Sequence, residues 1–109
     1  MIKVFEAQPL KKLFLNIVEW FVREHDLDDV TIYLHPIIDL NCWGETEKIG
    51  DKEYRIKVCT EQSLRDTVAT VMHEMVHVQQ WYTNKWQGDG EKEAEKRQYE
   101  LADRYWKGK

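Results

Sequence analysis

The residues best suited to do chemistry stand together at Val71-Met72-His73-Glu74-Met75-Val76-His77, which reads His-Glu-x-x-His. On an α-helix, side chains four apart lie one turn above one another on the same face. His73 and His77 therefore present two imidazole nitrogens to one cation. Zinc accepts such nitrogens at about 2.0–2.1 Å and leaves room for a third protein ligand and a water. Glu74 follows His73 but is rotated roughly 100° around the axis, so it need not bind the metal. From that position it reaches the metal's water as a general base.

This chemistry requires a helix, and the spacing predicts one. Residues 60–63 supply a cap, Asp66 suits the positive end of the dipole, and the helix runs to about Trp81 or Thr83. Leu64, Val68, Val71, Met72 and Met75 form one apolar stripe, with Val76 on its flank. His73 and His77 lie opposite, in line with Asp66 and Thr70. A face opposite the core is ordinarily wet surface, so the two histidines need a third ligand to become a site.

That ligand is expected from a last helix over residues 91–107, reached through a short connection at 84–90 that holds two glycines. Counting around this helix, Ala94, Leu101, Ala102, Tyr105 and Trp106 share one half of the circumference, and Glu91 and Glu95 lie within it. Glu93, Arg97, Glu100, Asp103 and Arg104 take the other half. Two carboxylates on an apolar stripe are costly unless something positive meets them. Zinc held by His73 and His77 meets that need. Glu91 is read as the third ligand, with Glu95, one turn on, orienting a histidine or the ligand carboxylate. The reverse assignment, and pairing of both acids with Lys or Arg, remain physically open.

The earlier chain reads as scaffold. Ile2 and Val4 alternating with Lys3 predict a short strand over 2–6. Pro9 suits the first turn of a helix that carries Leu13, Phe14, Ile17, Trp20 and Phe21 as far as about Glu24. His25 at its end is expected to complement the helix dipole rather than to bind a metal. Val30-Thr31-Ile32-Tyr33-Leu34 is β-branched and aromatic, a strand stopped by His35-Pro36. Residues 42–47 are read as a second strand, with a turn at Gly50-Asp51. In residues 54–59, Tyr54, Ile56 and Val58 face one way and Arg55 and Lys57 the other, and the two segments suggest a hairpin. Cys42 and Cys59 are expected to be small, buried, inert side chains rather than a bridge or a zinc pair.

With 109 residues the chain is expected to form one domain over 1–109, and its five Trp, five Tyr and three Phe supply a core. A formal net charge of −4 argues against a nucleic-acid surface, which requires a basic patch. No apolar run reaches membrane-spanning length and no signal peptide is apparent, so a cytoplasmic protein without a membrane partner is expected.

The residues 54–95 resemble the zincin metallopeptidases, and within them the gluzincins, in which a glutamate on a later helix completes the zinc site. In size the chain looks most like the compact minigluzincins and short metallopeptidases of bacterial and phage genomes. Glu91-Lys92-Glu93-Ala94-Glu95 is similar to a recurrent gluzincin pattern, Glu-x-x-Ala-Asp, with Glu95 in place of the usual Asp. The metzincin pattern is not met, because Gln80 and Thr83 stand where its glycine and third histidine would be.

The resemblance implies an α+β, zincin-like fold. An N-terminal helix would pack on a small twisted sheet, followed by the His-Glu-x-x-His helix and a C-terminal glutamate-bearing helix. It further implies zinc-dependent cleavage of a peptide or protein substrate, with an edge strand from between Trp43 and Val58 lining the cleft. A Tyr or His donor would hold the developing oxyanion, for which Tyr99 and His35 are the candidates. Two rival readings accompany this one: a zinc amidase acting on a non-protein amide such as a cell-wall cross-link, and a catalytically silent binding module on the same scaffold.

Overall fold

Strands β1 (Ile2–Val4) and β2 (Thr31–Ile37) pair in parallel, with Ile2 opposite Ile32 and Val4 opposite Leu34. A parallel pair needs a crossover, and helix α1 (Lys11–Glu24) supplies it. The computed structural model describes residues 1–5, 10–38 and 43–108. Strands β3 (Gly44–Gly50) and β4 (Glu53–Cys59) form an antiparallel hairpin, and β4 inserts beside β2 in parallel. The resulting order is β1-β2-β4-β3, which leaves β3 at an edge. Two helices follow, α2 (Leu64–Thr83) and α3 (Glu91–Lys107). Among the described residues the chain is thus α+β, with three helices and one four-stranded sheet. No described helix is long and apolar enough to cross a membrane.

The pleat assigns the two faces. Ile32, Leu34, Tyr54, Ile56 and Val58 are buried in one core with Phe14, Ile17, Val18 and Phe21 of α1 and with Val68, Val71, Met72 and Met75 of α2. On the other face Arg55 pairs with Glu47 at 3.1 Å and Lys57 with Glu45 at 3.3 Å. Ser63 caps α2 by accepting from the Asp66 N–H at 3.1 Å, and Asn84 closes it in the left-handed region.

Several expectations change. β2 is not stopped by His35-Pro36 but continues to Ile37, with Pro36 opposite Val58. The even-numbered residues of β2 aim their backbone groups at β1, as Ile32 N to Met1 O and Phe5 N to Leu34 O show. Pro36 follows that alternation, so its missing N–H faces past the last paired residue of β1 and breaks no ladder bond. Leu64 and Trp106, both expected on apolar stripes, are 51% and 40% exposed. They sit at the first turn of α2 and the last of α3, where little packs over them. Cys59 is buried at the end of β4. Pro9 and Cys42 lie outside the described residues.

Candidate metal centre

Helix α2 turns Asp66, Thr70, His73 and His77 toward a cavity of about 940 Å³ that lies between β3, α2 and the start of α3. His73 and His77 stack edge to face, with ring centroids 5.1 Å apart. Glu91, the first residue of α3, closes the site from the opposite wall. Its Oε2 lies 3.1 Å from His73 Nε2 and its Oε1 lies 2.7 Å from His77 Nε2. His73, His77 and Glu91 form a group that could hold a metal ion, their ligand atoms lying within 4.8 Å of one another.

The outer nitrogens test whether these residues fit a cation. His73 Nδ1 lies 2.7 Å from Gln98 Oε1 and His77 Nδ1 lies 2.9 Å from Gln80 Oε1. An amide oxygen only accepts, so each Nδ1–H donates and each Nε2 is left turned inward toward Glu91. A carboxylate 2.7–3.1 Å from two imidazole nitrogens requires positive charge among them, carried by protons on Nε2 or by a cation in their place. A metal ion meets that demand. The surrounding field has the same sense, since Asp66, Asp89 and Glu95 also line the cavity while, among the described residues, no lysine or arginine does.

Glu74 is the most enclosed acid of the cavity, 4% exposed. Thr46 on the edge strand donates from Oγ1 to Glu74 Oε1 at 2.7 Å. Burial pushes the Glu74 carboxyl above the usual carboxylate range. The Thr46 bond and the two histidines pull it down, and Glu91 pushes it up. Gly44 makes the close approach possible. A Cβ there would lie 2.9 Å from both Lys57 O and Thr70 Cγ2, and 3.1 Å from Glu74 Oε2.

The structure brings His73, Glu74, His77 and Glu91 into one cavity. Glu95 lines the same cavity but is exposed, and the orienting role expected of it falls to Gln80 and Gln98. Helical geometry explains the change. Seven residues on from Glu91, Gln98 returns to within about 20° of its azimuth, whereas Glu95 at four residues stands about 40° away. Tyr99 lines the cavity, but its hydroxyl donates to Asp66 Oδ1 at 2.6 Å. Asp66 precedes His73 by seven residues, about 10 Å along the helix, so that hydroxyl is committed away from the triad. His35 stacks on Phe5 with centroids 4.3 Å apart and is not among the cavity residues.

His25 serves the C-terminal end of α1, as expected, but through a hydrogen bond rather than a charge. Its Nδ1–H donates to Phe21 O at 2.9 Å, and its Nε2 accepts from Arg97 Nη2 at 3.1 Å, which requires a neutral ring. Burial is the main cause that lowers its pKa, with Arg97 and Arg104 adding to it.

Thr46, Gly44, Gln80 and Gln98 were not foreseen as parts of the site. Gln80 did carry a signal, since it follows His77 by three residues on the same helix face. No protein-family model matches the sequence, and comparisons with curated proteins and with solved structures find no significant match.

Proposed function

We propose that this chain is a zinc-dependent metallopeptidase of the gluzincin type, with His73, His77 and Glu91 as metal ligands and Glu74 as general base. The convergence of two inward imidazole nitrogens and one carboxylate beside a buried glutamate carries the reading. Tetrahedral zinc bonds of about 2.0–2.1 Å need donor separations of about 3.4 Å, so Glu91 would draw back by about 0.3 Å from His73 Nε2 and about 0.7 Å from His77 Nε2 to admit the ion. Zinc bound there would supply Lewis acidity, making a water acidic near neutral pH and polarising a scissile carbonyl.

The protein's own groups do the rest. Glu74 takes the proton of the attacking water and delivers it to the leaving amine. Thr46 holds Oε1, which leaves Oε2, on the Gly44 side, for that exchange. The two glutamine amides keep each Nδ1 protonated and each Nε2 ready to ligate.

A peptide substrate is favoured over another amide by the edge strand. Cys59 N donates to Trp43 O, so Trp43, Glu45 and Glu47 aim their backbone groups at β4. The groups of Gly44, Thr46 and Lys48 point away from it, along the cavity rim, where an extended chain can add as a further strand. The acidic lining disfavours nucleic acid. The silent-module reading is weakened because Glu74 takes part in no ion pair among the described residues.

Untagged protein is expected to bind about one zinc per chain. Glu74→Gln is expected to keep the zinc and lose turnover on a panel of peptide and cell-wall substrates. A fully active variant overturns the role of Glu74.

A further inference from the structure

One buried amide connects the two halves of the proposed metal site. Gln80 is 5% exposed. Its Oε1 accepts from His77 Nδ1 at 2.9 Å, while its Nε2 donates to Gly90 O at 3.0 Å and to Glu93 Oε1 at 2.9 Å. Gly90 is the residue on which α3 begins, immediately before Glu91. The amide cannot be turned over without facing its nitrogen to an N–H and its oxygen to two acceptors, so its orientation is fixed by its partners.

Gly90 is shaped for this contact. It adopts φ +81°, and a Cβ there would collide with Gln80 Oε1, Cδ and Nε2. Asp89 Oδ1 accepts from Glu91 N at 3.0 Å and Gly90 O accepts from Ala94 N at 3.2 Å, and the amide clamp on the same carbonyl ties this helix start to α2. A histidine ligand on one helix and a carboxylate ligand on the next are thereby held to the same three-atom group.

We propose that Gln80 is the positioning residue of the metal centre: its side-chain amide ties the His77 imidazole to the first turn of α3, and so keeps His77 and Glu91 in register for one ion. This rests on the metal reading above. It also makes the polar support of His77 neutral, where a carboxylate is a common partner of a ligating imidazole.

The test compares wild type, Gln80→Met and the exchange pair Gln80→Glu with Glu93→Gln. Zinc affinity is read by competition with a chromophoric chelator, ligand geometry by the absorption of the cobalt(II)-loaded protein, and folding by circular dichroism of the metal-free protein. Gln80→Met is expected to stay folded, to lose about tenfold to a hundredfold in zinc affinity and to shift the cobalt bands. The exchange pair restores an acceptor for His77 and a donor opposite it, but turns a carboxylate oxygen toward Gly90 O in place of the amide N–H, so it is expected to fold and to remain about tenfold or more weaker than wild type. A folded Gln80→Met protein with wild-type affinity and cobalt spectrum overturns the proposal. If Gln80→Met does not fold, the exchange pair decides, and wild-type affinity and cobalt spectrum from it while folded overturn the proposal equally. Wild type that binds no zinc removes the metal reading itself, a distinct result.

Discussion

Thr46 and Glu74, 28 residues apart, meet through a 2.7 Å hydrogen bond that joins the edge strand to the base of the cavity. The same hydroxyl lies 3.3 Å from the Glu74 carbonyl oxygen, so both side chain and backbone of the acid are tied to β3. A buried carboxylate with one oxygen fixed has less orientational freedom to lose when it takes a proton. Thr46→Val, nearly the same shape without the hydroxyl, is expected to lower kcat/KM about tenfold to a hundredfold with zinc content unchanged. Thr46→Ser should recover most of it. Peptide hydrolysis assayed beside metal analysis checks the pair, and an unimpaired valine variant would show the bond to be incidental.

Gly44 tests the same junction from the backbone. A methyl group there meets Lys57 O, Thr70 Cγ2 and Glu74 Oε2 at 2.9–3.1 Å, and two of these three contacts are with a backbone carbonyl and a β-branched side chain that yield little. Gly44→Ala is therefore expected to destabilise the fold by about 1–3 kcal/mol, as overpacking does. Activity should fall further than stability, because the edge strand must lift away from the base. Urea unfolding and turnover measured together check both.

The helical wheel made α2 and α3 legible, since period and azimuth are local properties of sequence. It brought His73, His77 and Glu91 to facing surfaces before any contact was known. The same wheel misplaced Leu64 and Trp106, because azimuth says nothing about whether a helix end is covered. Thr46 and Gly44 were not legible, because their role depends on the register of β3 on β4 and on α2 lying behind it. Gln98 left no periodic trace, and the spacing of Gln80 from His77 is a signal only once the contact is known, for an amide beside a histidine resembles any polar residue on a wet face. Pro36 read as a stop because a single strand does not reveal which neighbour its missing donor would have faced.

His25 gives a pH dependence whose sign follows from its partners. Phe21 O takes its Nδ1–H and Arg97 donates to its Nε2, so the folded state holds the ring neutral. Arg97 and Arg104 from α3 disfavour its protonation, and Glu24 from α1 opposes them. With the folded pKa below the unfolded value of 6.5, stability is full above that value. It declines as pH falls from there toward the folded pKa, where the unfolded chain takes the proton first. His25→Gln is expected to flatten this part of the curve. Urea unfolding of both proteins between about pH 7.5 and about pH 5 checks it, and parallel curves overturn it.

Asp66 acts in the same sense, through Tyr99. The Tyr99 hydroxyl bond, then that from Ser63, hold the Asp66 carboxyl below the usual range, and the same bond raises Tyr99. A carboxyl depressed in the fold contributes stability present above its unfolded pKa and lost as pH falls through the folded one. Arg65, whose guanidinium lies 4.4 Å from the Tyr99 ring centroid, adds to the depression. Tyr99→Phe keeps the ring under Arg65 and deletes only the donor. Its Asp66 should titrate nearer the ordinary carboxylate range by NMR, and its stability should fall less on acidification, because less of the depression is left to lose. Turnover should change little, because this hydroxyl is bonded one helical stretch away from the triad. A large loss of kcat in Tyr99→Phe with Asp66 titrating as before would instead place the tyrosine on the reacting carbonyl.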